Sequence, residues 1–82
     1  MGFKLFFVKK KKMTAREMFE KLGYKFNVLG DYIIYKHEEG AKSVVFDIPK
    51  QTYNANAGLY STHVNMNELK AINKQCEELG WL

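Results

Sequence analysis

Cysteine and proline are almost missing from this 82-residue chain: it has one of each, Cys76 and Pro49. A lone cysteine excludes a disulfide framework within the chain, and a reducing cytoplasm is the expected setting. Pro49 marks a single break. Apolar runs are short as well. The one in residues 1–12 is too brief for a signal peptide or membrane span, and its charges follow rather than precede it. No membrane partner is therefore expected. Acids are absent from residues 1–12, which carry five Lys. From Met13 onward eight basic residues face nine acidic ones, so the +4 charge belongs to the first twelve residues. A folded nucleic-acid binder usually carries its basic charge on one face of the fold, and this distribution weakens that reading.

Catalytic grammar is missing too. There is no Cys-x-x-Cys or His-x-x-x-His spacing. The six glycines stand singly, so no loop cradles a phosphate, and no Ser lies in a nucleophile elbow. The only histidines, His37 and His63, have no close ligand spacing with Cys76 or Asp47. Cys76 falls on the apolar stripe of a helix, where a thiol packs as a small hydrophobe. Asp31, Glu38, Glu39 and Asp47 read as ordinary solvated charge, and His37 as a turn residue. No metal, cofactor or enzymatic activity is expected.

What is present is helix punctuation, twice. Thr14 and Asn65 can each accept a bond from the backbone N–H three residues on. Glu17 and Glu68 can reach back to the cap. Met13 with Met18, and Val64 with Leu69, have the spacing of a hydrophobic staple. Gly23 and Gly80 stand where each chain must turn left-handed. The aromatic after each, Tyr24 or Trp81, is placed to pack on Phe19 or Cys76. The spacing predicts helices over 15–22 and 66–79, the second with Met66, Leu69, Ile72, Cys76 and Leu79 inward.

Between the helices the apolar period changes from 3.6 to 2. Strands are expected over 24–28, 32–37, 42–48, 51–55 and 59–64, with turns at Leu29-Gly30-Asp31, Glu38-Glu39-Gly40, Pro49-Lys50 and Asn56-Ala57-Gly58. Such short turns join antiparallel neighbours. The expected fold is α+β: a meander of four to five strands with both helices packed on one face, in the order αβββββα.

Residues 13–82 form the expected domain. Residues 1–12 admit three readings: an upstream in-frame extension with Met13 as the natural start, an edge strand over 4–9, or a basic tail that touches membrane or nucleic acid.

The opening Met13-Thr14-Ala15-Arg16-Glu17-Met18-Phe19-Glu20-Lys21-Leu22-Gly23-Tyr24 and the ending Ala71-Ile72-Asn73-Lys74-Gln75-Cys76-Glu77-Glu78-Leu79-Gly80-Trp81 carry a resemblance. Together they resemble short uncharacterised proteins encoded by phages and prophages of low-GC Gram-positive bacteria, which also carry a pair like Phe46-Asp47. The resemblance implies a mobile-element setting and a start at Met13. It implies no activity and transfers no site residue.

Two short helices can cover only one sheet face. The other is expected to show aromatics among lysines, with Tyr32, Tyr35, Lys36, Lys42, Tyr53 and Tyr60 as the candidate interaction surface. Such a face can hold a protein partner or a second copy of the chain, or stack the bases of a single strand. The same rings can instead simply pair across strands and stabilise the sheet. The expected function is a non-catalytic module that binds a host or phage protein through this face or an unpaired edge. The alternative is single-stranded nucleic-acid binding. A homodimer is a further expectation, because a meander has two open edges.

Overall fold

The computed structural model describes residues 13–82; the readings of residues 1–12 lie outside the described residues. Helix α1 (Ala15–Lys21) leads into strands β1 (Tyr24–Leu29), β2 (Tyr32–His37), β3 (Lys42–Asp47), β4 (Thr52–Ala57) and β5 (Tyr60–Ser61), and helix α2 (Met66–Glu78) follows. The strands form one sheet in sequence order, each antiparallel to the next. This is the expected α+β meander with a helix at either end.

Both capping boxes are formed. Thr14 Oγ1 accepts from the Glu17 N–H at 3.1 Å, and Glu17 Oε1 accepts from the Thr14 N–H at 2.9 Å. The Asn65 and Glu68 pair repeats the exchange at 2.8 and 2.9 Å. At the far ends Gly23 and Gly80 sit at φ +94° and +80°. Trp81 N–H closes α2 onto the Cys76 carbonyl at 2.9 Å. Seven residues are too few for a helix to persist unaided. What holds α1 is Phe19. Its ring stacks on Tyr35 at 3.9 Å and meets Tyr24 and Phe46 edge-on at 5.5 and 6.3 Å. Edge and offset contacts of this kind each add about 1 kcal/mol beyond area burial.

Two differences from the expected elements have clear causes. β4 runs on to Ala57, and β5 has only two residues. Gly58 takes φ +66° as the first residue of a two-residue turn, and Ala57 then pairs with Tyr60. The Thr62 N–H still donates to the Ala55 carbonyl at 3.0 Å, and beyond it the chain leaves the sheet for the Asn65 cap of α2. Helix α2 is also rotated relative to the expected stripe. Its buried residues are Glu68, Ala71, Ile72, Gln75 and Cys76, while Met66 is 63% exposed. The turn comes from two tyrosines on the covered sheet face whose hydroxyls need acceptors. Tyr24 donates to Glu68 Oε2 and Tyr35 to Gln75 Oε1, each at 2.6 Å.

Candidate functional site

Register separates the candidate residues. Because side chains alternate, Tyr32 and Tyr35, three residues apart, point to opposite faces. Tyr35 pairs with Phe26 and Val44 on the covered face. It is 1% exposed, beneath Phe19. Its place in the interaction surface is therefore corrected: it is core. Lys42 is corrected too. It lies in register with Ala57 on the covered side, and its Nζ donates to Glu68 Oε1 at 2.7 Å. Tyr53 pairs with Phe46 and Tyr60 with Ala57, so both also lie on the helix side, at its uncovered margin, 41% and 77% exposed. Of the six, only Tyr32 and Lys36 occupy the open face. A platform of several tyrosines does not exist there.

The open face is instead mostly polar. Lys25 lies directly opposite Lys36, and Asn27 opposite Ile34. Leu29 lies opposite Tyr32. Lys25 also approaches Glu38 at 3.8 Å, with both side chains exposed. Like charges facing across a strand pair are unfavourable.

Beneath the helices the shifted groups are used in structure. Glu68 bridges three elements: it caps α2, accepts from the Tyr24 hydroxyl and pairs with Lys42. Burial pushes its carboxyl pKa up. The bonds from Lys42, Tyr24 and the Asn65 N–H, with the Lys42 charge, outweigh that and hold it below the ordinary range. Burial first, then the bond to Glu68 and its charge, drive the Tyr24 hydroxyl well above its usual range. Burial does the same for Tyr35, helped by the Glu78 charge, and it raises the Cys76 thiol. A buried thiol with a raised pKa is a poor nucleophile.

His37 closes α1: its Nε2 donates to the Leu22 carbonyl at 3.1 Å, and its Nδ1 accepts from the Glu39 N–H at 3.1 Å. Asp47 Oδ1 accepts from the Lys50 N–H at 3.2 Å in the β3–β4 turn. His63, Asp31, Glu38 and Glu39 are exposed. Among the described residues no three His, Cys, Asp or Glu side chains gather as a metal ion would require. Among them no helix is long and apolar enough to cross a membrane.

Among the described residues the sheet has two edges without a neighbouring strand, a short one at β5 and the start of β4 and a longer, continuous one along β1. The two-residue turn Gly30-Asp31 makes Leu29 and Tyr32 the closing pair of the hairpin. Hydrogen-bonded pairs then recur at Asn27–Ile34 and Lys25–Lys36. The bond from the Glu38 N–H to the Gly23 carbonyl, 2.9 Å, continues the same series. The N–H and C=O groups of Tyr24, Phe26 and Val28 therefore point away from β2, and β1 has no other strand beside it among the described residues. Val28 and Leu29 on this edge are 54% and 63% exposed. Alternation in 24–28 announces the strand, but only the turn register shows which main-chain groups face outward. Comparison with protein-family models, with curated proteins and with solved structures finds no match.

Proposed function

We propose that this chain is a non-catalytic protein-binding module, which captures an extended segment of another protein along the free edge of β1. One observation carries the reading: three alternate residues, Tyr24, Phe26 and Val28, turn their main-chain donors and acceptors outward with no strand beside them among the described residues, next to the exposed side chains of Val28 and Leu29. Natural sheets usually blunt such an edge with charge, proline or a bulge. Here one Lys, Lys25, is the only charge along β1. Strand addition draws affinity from the main chain and specificity from alternate side chains. A cytoplasmic phage or prophage setting, with a host or phage protein as partner, is part of the proposal and rests on the resemblance of the two chain ends.

Replacing Val28 by Pro tests the reading. Its N–H faces outward, so the intramolecular ladder keeps its bonds while the edge loses a donor. A partner retained by the immobilised parent chain and lost by V28P, with unchanged circular dichroism, is the expected result. A partner held equally by both would overturn it. The nucleic-acid reading loses support, since Tyr35, Tyr53 and Tyr60 all leave the open face.

A further inference from the structure

The charge around the β1 edge specifies what kind of strand fits it. On the helix side, the Arg16 guanidinium sits over the Phe26 ring, 4.4 Å from its centroid. On the open side, Lys25 faces Lys36. The acids of this neighbourhood, Glu20 and Glu38, are exposed partners of Arg16 at 3.2 Å and Lys25 at 3.8 Å. Three cations and the two acids paired with them thus flank the middle of the edge, a net of one positive charge, and two of the cations, Lys25 and Lys36, oppose one another directly. Toward the hairpin the edge becomes apolar, with Val28, Leu29 and Tyr32 all exposed.

We infer that the β1 edge takes an extended protein segment whose side chains alternate, acidic on the open-face side and apolar on the α1 side. This rests on the strand-addition reading above and adds the chemistry of the partner. In an added strand, one set of alternate residues meets Lys25 and Asn27, and the other meets Phe26 and Val28. A carboxylate opposite Lys25 relieves the Lys25–Lys36 opposition. An apolar residue opposite Val28 covers the surface that α1 is too short to reach. Charge argues against the two other occupants. A second copy paired antiparallel about Phe26 brings the two Arg16 side chains near one another and sets Lys25 opposite the other copy's Asn27 and diagonal to its Lys25, so that like charges gather along the seam. The chain's residues 1–12 contain five Lys and no acid, and add to the positive charge.

The test uses the full chain and two synthetic peptides about eight residues long, the minimum to span a six-residue edge strand with flanks. One alternates valine and glutamate, the other valine and lysine. Amide-resolved NMR titration is the readout, with sedimentation at the same concentration. The expected result is perturbation of the Phe26 and Val28 amides by the glutamate peptide. The lysine peptide should bind at least about tenfold more weakly. Lys25→Glu should reverse the preference, and added salt should narrow it. Equal binding of the two peptides overturns the inference but leaves strand addition standing. If neither peptide moves the β1 amides, both readings fall. Phe26 and Val28 amides already protected in the free chain overturn it as well. Sedimentation as a dimer then assigns the edge to a second copy, and as a monomer to the chain's own residues 1–12.

Discussion

Glu68 shows how much one side chain can hold together in a small fold. Its two oxygens receive the Asn65 N–H, the Lys42 ammonium and the Tyr24 hydroxyl, which ties the start of α2 to β3 and β1. At 6% exposure the carboxylate is tolerable only because these donors surround it. Its folded pKa lies below the ordinary value of 4.5. The stabilisation is therefore fully present above that value, and it disappears as pH falls through the lowered folded value. Glu68→Gln keeps the shape and the cap acceptor but loses the charge. The expected cost near neutral pH is about 1–2 kcal/mol in urea unfolding. The gap to the parent should shrink as pH falls below the ordinary value of 4.5 and through the lowered folded one, where Glu68 itself takes up a proton. A gap independent of pH would mean that the carboxylate charge does no work in the fold. Only the capping role of Glu68 is legible in the spacing of residues around it. The bonds to Tyr24 and Lys42 span 44 and 26 residues, and local spacing carries no trace of either.

Elements were legible wherever their determinants are local. The capping boxes, the stop glycines and the period-2 runs all lie within a few residues of what they specify. Both helices and all five strands accordingly occur in the expected order. Rotation of α2 was not legible, since Glu68 and Gln75 go inward only to meet tyrosines on other elements. The facing of each tyrosine depends on strand register, which two-residue turns set and composition does not. The exposed edge of β1 has the same origin. Helix α1 carries one further non-local tie: the Ala15 N–H, an orphan donor of its first turn, donates to Glu78 Oε2 at 2.9 Å. A carboxylate there also favours the positive end of the helix. Glu78→Ala is expected to cost about 1 kcal/mol. Hydrogen exchange should quicken at the α1 amides while β2 and β3 stay protected, because Phe19 then holds the helix alone. Equal loosening across the sheet would show that α1 and the sheet open as one unit.

At the scale of the whole molecule, charge is divided unevenly along the chain. Residues 13–82 hold one more acid than base, while the five Lys of residues 1–12 make the total +4. Affinity for a polyanion should follow the second group, since the open sheet face offers one tyrosine, Tyr32, and the lysines Lys25 and Lys36. Counterion release makes such binding fall with salt by a logarithmic slope of about 0.7 per phosphate neutralised on a single strand. Five lysines acting together give a slope of about −3 to −4. Replacing Lys4, Lys9, Lys10, Lys11 and Lys12 by Ser in the full chain should abolish both the affinity for an unstructured oligonucleotide and its salt dependence. Tyr32→Ala with Lys36→Ala should leave both nearly unchanged, because a single ring and its neighbouring lysine make no stacking path. The opposite pattern, with affinity surviving the Ser replacements and lost with Tyr32 and Lys36, would move oligonucleotide binding from the lysines of residues 1–12 to the open face. Protein capture and oligonucleotide binding would then have to be separated by V28P, which alters the edge and leaves the open face intact.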